Sequence, residues 1–189
     1  MLIGILTFAL CTAAVAAWLM TRPAAPKPFA ESYHDALREH PGSEAAIDTG
    51  LEDFARVYGE LTHPEIGDRV KALYAEDIYF NDSLKTFHDR DALVAYMRAT
   101  GEMLHESSVE IDQILRDGND AFVRWTMEFS AGAEGKRIHS RSVGITHLRF
   151  DDRGRVALHQ DFWDSAAGMY RNLPVVGYVL KQVDKQMGD

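Results

Sequence analysis

Three residues near the C-terminal end have the types and spacing for proton chemistry: His159, Asp161 and Trp163, in the run RVALHQDFW from Arg155 to Trp163. The run reads as a β-strand, whose side chains alternate between two faces. His159, Asp161 and Trp163 then share one face, and Leu158, Gln160 and Phe162 share the other. A carboxylate beside an imidazole fixes its tautomer, and the pair can take up and return a proton. The tryptophan adds an aromatic wall. The same residues also suit a structural role, in which Asp161 holds a buried His159 and Trp163 packs.

The elements that must position this strand follow from pattern. Ala46, Ile47, Leu51, Phe54, Ala55, Tyr58 and Leu61 have helical spacing, with Ser43 as the expected N-cap and His63-Pro64 as the stop. A shorter helix covers residues 66–74, a short strand residues 77–82, and Asp89 caps a helix over residues 90–104. The runs 109–115, 121–131, 137–150 and 155–163 alternate or are rich in aromatics. Asp117-Gly118-Asn119, Gly132 to Gly135 and Asp151 to Gly154 separate them as turns. Helices followed by a meandering antiparallel sheet is an α+β order. His139 and His147 have the parity opposite to Thr146 and fall on the convex face. The tail, residues 166–189, is expected to be an amphipathic helix that packs by Leu173, Val176, Val179, Leu180 and Val183.

Composition narrows the classes. The chain has 189 residues and a formal net charge of −9, with no cluster of Lys and Arg, which argues against a nucleic-acid surface. Cys11 is the single cysteine, so there is no disulfide, thiolate metal site or cysteine nucleophile in the domain. No pair of side chains has the spacing of a metal site, and no glycine-rich phosphate loop occurs; neither metal nor cofactor is expected. Leu2 to Met20 carries no charge and, as a helix, spans about 28 Å. It reads as a transmembrane anchor, residues 1–21. Arg22 and Lys27 then place the C-terminal domain in the cytoplasm. A cleaved signal peptide with periplasmic export is the alternative. Residues 22–42, with Pro23, Pro26 and Pro28, are a linker, and residues 43–165 form the domain.

Two stretches, LYAEDIYFND and GITHLRFDDRGRVALHQDFWD, resemble the nuclear-transport-factor-like, or SnoaL-like, superfamily, which includes ketosteroid isomerase, polyketide cyclases and limonene epoxide hydrolase. The resemblance runs from Ser43 to Asp164. It implies a cystatin-like α+β roll, with helices on a curved antiparallel sheet that encloses a pocket, and a homodimer. In the pattern of the isomerase, Tyr58 falls at the oxyanion-hole tyrosine and Asp82 at the general base. The third catalytic position, a protonated aspartate there, is Thr146 here, which can donate a hydrogen bond but is no acid. Trp125, Met127 and Phe129 point inward at period two, joining Thr146 and Trp163 as pocket lining.

Proton abstraction beside a carbonyl needs a base within about 3 Å of the carbon and a donor aimed at the oxygen. Asp82 with Tyr58, or His159 with Asp161, supplies such a set. The expected function is cofactor-independent isomerisation, cyclisation or hydration of a hydrophobic, lipid- or isoprenoid-like molecule. The alternative is a non-catalytic ligand-binding or protein-interaction module held at the membrane.

Overall fold

The structure, a computed structural model, describes residues 29–132 and 137–188. The elements run α1 (Phe29–Glu39), α2 (Ile47–Tyr58), α3 (Ile66–Leu73), β1 (Tyr74–Asn81), β2 (Thr86–Asp89), α4 (Arg90–Met103), β3 (Leu104–Asp117), β4 (Asp120–Ala131), β5 (Ile138–Phe150), β6 (Val156–Trp163), α5 (Ser165–Gly168), a 3-10 turn (Tyr170–Asn172) and α6 (Pro174–Met187). Helix α2 forms because Ile47, Leu51, Phe54 and Val57 recur on one face, and all four are buried. Its N-cap is Ala46 rather than Ser43; the Ser43 hydroxyl accepts from the Ala45 N–H in the turn before it. Asp89 does cap α4, accepting from the Ala92 N–H at 2.7 Å.

The six strands make one sheet in the order β2-β1-β6-β5-β4-β3. Every neighbouring pair is antiparallel except β1 with β6, which is parallel, so the expected all-antiparallel sheet is corrected to a mixed one. The last strand in sequence is therefore interior to the sheet. Gly118, at a positive φ of 57°, closes the two-residue turn between β3 and β4. Asp151 organises the turn before β6, its Oδ1 accepting from the Arg153 and Arg155 N–H groups.

Helices α2, α3 and α4 cover the concave face, where Phe54, Val70, Leu73, Ile78, Phe80, Leu93, Val123, Leu148 and Phe150 form the main core. A second, smaller core lies on the convex face, where Tyr33, Ala36 and Leu37 pack on Tyr79 and Leu158. Arg149 donates to the Leu37 and His40 carbonyls and so caps the end of α1. His147, expected on an open convex face, is instead only 2 % exposed. Its Nδ1 meets the Tyr33 hydroxyl and its Nε2 meets Asp120, each at 2.6 Å. His139 is exposed. Residues 33–189 belong to one unit; the described part of the unit before it is the first turn of α1.

The expected membrane-spanning helix is corrected. Among the described residues no helix is long and apolar enough to cross a membrane, so the described fold is the α+β roll alone. The single-pass topology, the anchoring to a membrane and the localisation drawn from it are withdrawn with it. The run Leu2 to Met20, on which they were placed, lies outside the described residues. So do residues 22–28 of the linker and residues 133–135 of the expected turn, while residues 29–39 of the linker are helix α1. The tail is broken into α5, the 3-10 turn and α6. Val176, Val179 and Val183 stand exposed on α6, where packing was expected.

Candidate functional site

Strand β6 sets the site. The parity of its residues and its pairing with β5 put His159, Asp161 and Trp163 on the concave face, opposite Leu148, Thr146 and Gly144. His159 is completely buried and the Asp161 side chain keeps 13 % of its surface exposed. The two residues bond directly, His159 Nε2 to Asp161 Oδ1, at 2.9 Å.

A continuous chain of hydrogen bonds passes through this pair. Tyr58 and Tyr74 hydroxyls lie 2.6 Å apart, and the Tyr74 hydroxyl is 2.8 Å from His159 Nδ1. On the other side, Thr146 donates to Asp161 Oδ1 at 2.5 Å and accepts from the Trp125 indole N–H at 2.8 Å. The donors fix the proton positions. A carboxylate accepts only, so His159 carries its proton on Nε2, Nδ1 accepts from Tyr74, and Tyr74 accepts from Tyr58. Every buried donor in the chain is used once. Burial holds both the Tyr58 and Tyr74 phenols well above their ordinary range, with the nearby aspartate charges adding to the effect. At neutral pH they are donors, not bases.

Asp161 Oδ1 takes both protein donors. No protein donor reaches Oδ2 among the described residues, which leaves it open to an incoming group. Tyr58, Tyr96, Ile111, Met127 and Trp163 are partly exposed and pack against the concave-face core. Trp125 sits deeper, and its indole lies where a side chain on Gly144 would stand. Phe54 stacks on Tyr58 with ring centroids 4.3 Å apart, and Phe80 lies 4.5 Å from the His159 ring, so aromatic faces enclose the chain.

Asp82 joins the cluster differently. It follows β1, and its side chain closes the turn to β2: Oδ1 accepts from the Leu84 and Lys85 N–H groups at 2.9 and 2.7 Å. Oδ2 accepts from the Tyr96 hydroxyl at 2.5 Å, and the Asp82 carbonyl accepts from the Trp163 indole. Both carboxylate oxygens are engaged, and Tyr58 bonds to Tyr74 rather than to Asp82. Met127 and Phe129 line the concave face further out, half-buried. An open cleft of about 340 Å³ lies between residues 106–108, 128–130 and 139–141, away from Asp161, and most of its lining, Glu128, His139 and Arg141 among it, has the convex parity. Among the described residues no group of three or more His, Cys, Asp or Glu side chains is placed to hold a metal.

Two residues of the site escaped sequence reasoning, Tyr74 and Tyr96. Tyr74 shares the parity of Phe80 and Asp82 in LYAEDIYFND, and extending the strand to it would have found it. Tyr96 is three residues after Leu93 on α4, and only the tertiary contact reveals its bond to Asp82.

A family model described as a SnoaL-like domain matches residues 65–159. Among solved structures, the chain is similar to an LEH-like epoxide hydrolase of M. tuberculosis, at 20 % identity over 75 % of this chain and 98 % of that one, TM-score 0.54. It is similar to TsrD from Streptomyces laurentii, at 19 % identity over 70 % and 97 %, TM-score 0.53. A protein with a ketosteroid isomerase-like fold from Catenulispora acidiphila DSM 44928, in complex with trimethylamine, matches at 17 % identity over 62 % and 89 %, TM-score 0.52. These likenesses are of fold. No curated protein matches the chain.

Proposed function

The chain belongs to the SnoaL-like domain family, whose fold binds small molecules, and from that membership and the geometry of the cup we propose that it is a cofactor-independent general acid–base enzyme acting on a hydrophobic small molecule. The reaction class is isomerisation, cyclisation or hydration. Asp161 is the base: its free Oδ2 takes the proton, while Thr146 and His159 hold Oδ1 and orient the carboxylate. His159 is the proton reservoir behind it, its tautomer set by Asp161 and its Nδ1 accepting from Tyr74. Tyr58, the partly exposed end of the chain, is the donor to the substrate oxygen, turning its one proton from Tyr74 to the substrate when the substrate binds. Asp82 is a positioning residue that holds Tyr96 and the β1–β2 turn. The observation that carries this reading is the single hydrogen-bonded chain ending on a carboxylate with one free oxygen.

A second reading, a non-catalytic binding module, draws support from the saturation of Asp82 and from a cleft that opens away from the pair. In either case a second copy would pack on the outer face of β5, where Val143 and Ile145 are exposed.

Native mass spectrometry of the full chain purified from its own host, with release and identification of any retained molecule, gives the compound to assay. Asp161→Asn is expected to lower turnover of it by about 10²- to 10⁴-fold with binding retained. Full activity in both Asp161→Asn and Asp82→Asn, or no turnover by the unaltered protein, overturns the catalytic reading.

A further inference from the structure

Helix α1 is held on the convex face by little apolar surface. Of its residues only Ala36 is buried, and Ala36 packs with the partly buried Tyr33 and Leu37 on Tyr79 and Leu158. Polar ties supply the rest of the hold, and they meet in one cluster. The Tyr33 hydroxyl lies 2.6 Å from His147 Nδ1, and Arg149 Nη1 donates to the Leu37 and His40 carbonyls at 2.8 and 3.1 Å. Both strand residues are bound to the same carboxylate. Asp120 Oδ1 is 2.6 Å from His147 Nε2 and 2.5 Å from Arg149 Nε, and Oδ2 is 3.2 Å from Arg149 Nη2.

The docked arrangement needs a neutral imidazole. A carboxylate accepts only, so His147 carries its proton on Nε2, and its bare Nδ1 accepts from the Tyr33 hydroxyl. The ring is faced by Tyr33 from α1, by Asp120 and the stacked Phe122 from β4, by Arg149 from its own strand and by the neutral Gln160 from β6. Asp120 and Arg149 are the charges that reach it. A proton added to Nδ1 takes away the acceptor of Tyr33, which must turn its own proton out to solvent. It also places a cation beside Arg149 under the helix. Asp120 offsets part of this, but burial outweighs it and holds His147 below its ordinary 6.5. Once α1 lifts, the ring is in water and the effect of burial is gone. The docked form therefore binds fewer protons than the released form, and acid favours release.

The joint for this movement is Pro41-Gly42. Gly42 has a φ of 75°, which glycine adopts without strain. Just beyond it the Ser43 N–H donates to the Phe150 carbonyl at 2.8 Å, so the chain past the joint stays fixed to the sheet.

We propose that α1 is a strap released by acid, its hold on the convex face set by the protonation state of His147. The strap lifts while the sheet and helices α2, α3 and α4 stay folded, because the main core lies on the concave face. Lifting opens Tyr79, Leu158 and Gln160 to solvent, all three with no exposed surface when α1 is docked. In the register of β1, β6 and β5 these residues adjoin Phe162, Ile145 and Val143, so acid widens the apolar outer face from β5 onto β6 and β1. The device belongs to the convex side and operates whether or not the concave side is catalytic.

Hydrogen exchange of the full chain, read on peptides by mass spectrometry and corrected for the intrinsic pH dependence of exchange, measures the opening of α1, with segments of β3 and β4 as internal reference. Between pH 7 and pH 5 the opening of residues 33–40 is expected to rise about tenfold, with the reference nearly unchanged. His147→Gln, whose amide pairs with Tyr33 and Asp120 without titrating, should abolish the rise. Tyr33→Phe keeps the imidazole and should open α1 about fivefold more at pH 7 without affecting the reference. No rise in the unaltered protein, or an equal rise in His147→Gln, overturns the role of His147. A rise shared in full by β3 and β4 overturns the strap, since the whole domain would then be opening. Unchanged opening in Tyr33→Phe overturns it as well, because the bond to His147 would not be holding the helix.

Discussion

Replacing Tyr74 by phenylalanine tests the chain of hydrogen bonds on which the site depends. Tyr74 is completely buried, and phenylalanine fills the same ring volume, so the change removes one oxygen and leaves no cavity. Two bonds go with it, to Tyr58 at 2.6 Å and to His159 Nδ1 at 2.8 Å. At about 1 kcal/mol net for each, the loss is about 2 kcal/mol. The existing 3.4 Å approach of Tyr58 to His159 can tighten and recover part of it, whereas leaving the buried Nδ1 unpaired would add to it. For a domain of this size, about 2 kcal/mol is a fall of roughly 4–8 °C in melting temperature. Tyr58→Phe removes only the first bond and should cost about 1 kcal/mol. The double variant loses the same two bonds as Tyr74→Phe, so it should cost about 2 rather than 3 kcal/mol, a coupling of about 1 kcal/mol. Urea titrations of the four proteins, with unchanged slopes, measure all of these. A Tyr74→Phe cost under about 0.5 kcal/mol, or additive single effects, would refute the chain.

Gly144→Ala should destabilise by about 1–3 kcal/mol, because the new methyl group collides with the Trp125 indole and displaces it from Thr146; thermal melting and the Trp125 emission maximum report it. Asp89→Ala removes the cap of α4 and should cost about 1 kcal/mol in urea denaturation. The third prediction concerns pH. Burial pushes His147 below its ordinary 6.5, so the folded protein holds it neutral. Its contribution is full above that value and is lost as pH falls through the folded pKa. Burial alone would raise Asp120, but its bonds to Arg149 and His147 outweigh this and hold its carboxyl below its ordinary 3.8, so its contribution fails only at lower pH still. The urea midpoint should therefore drop between pH 7 and pH 5, and His147→Gln should flatten that drop. An equal drop in both proteins would assign it to other groups.

How far the sequence reveals this site depends on how many faces of an element are buried. Strand β6 was legible on its concave side because alternation alone puts His159, Asp161 and Trp163 together, and the pairing with β5 then adds Thr146. Helix α2 was legible because one buried stripe fixes its rotation, which is enough to aim Tyr58 at the cup. Alternation says nothing of what covers the other face. Gln160 and His147 look like surface residues by parity, yet Gln160 is buried against Tyr79 and Asn81, and His147 lies under α1. The cover over His147 comes from a segment more than a hundred residues earlier, whose own pattern shows a helix but not its destination. The parallel pairing of β1 with β6 is hidden for the same reason, since no turn joins the two strands. This pairing completes the hydrogen-bonded chain: it sets Phe80 beside His159 and, with the Tyr74–Val156 pair at its start, brings the Tyr74 hydroxyl to Nδ1. With β1 elsewhere in the sheet, His159 would keep its carboxylate at Nε2 but would bury an unpaired Nδ1. The full pairing of the buried His159 ring is thus a consequence of sheet order, while the residues of the His159–Asp161 pair are read from the strand.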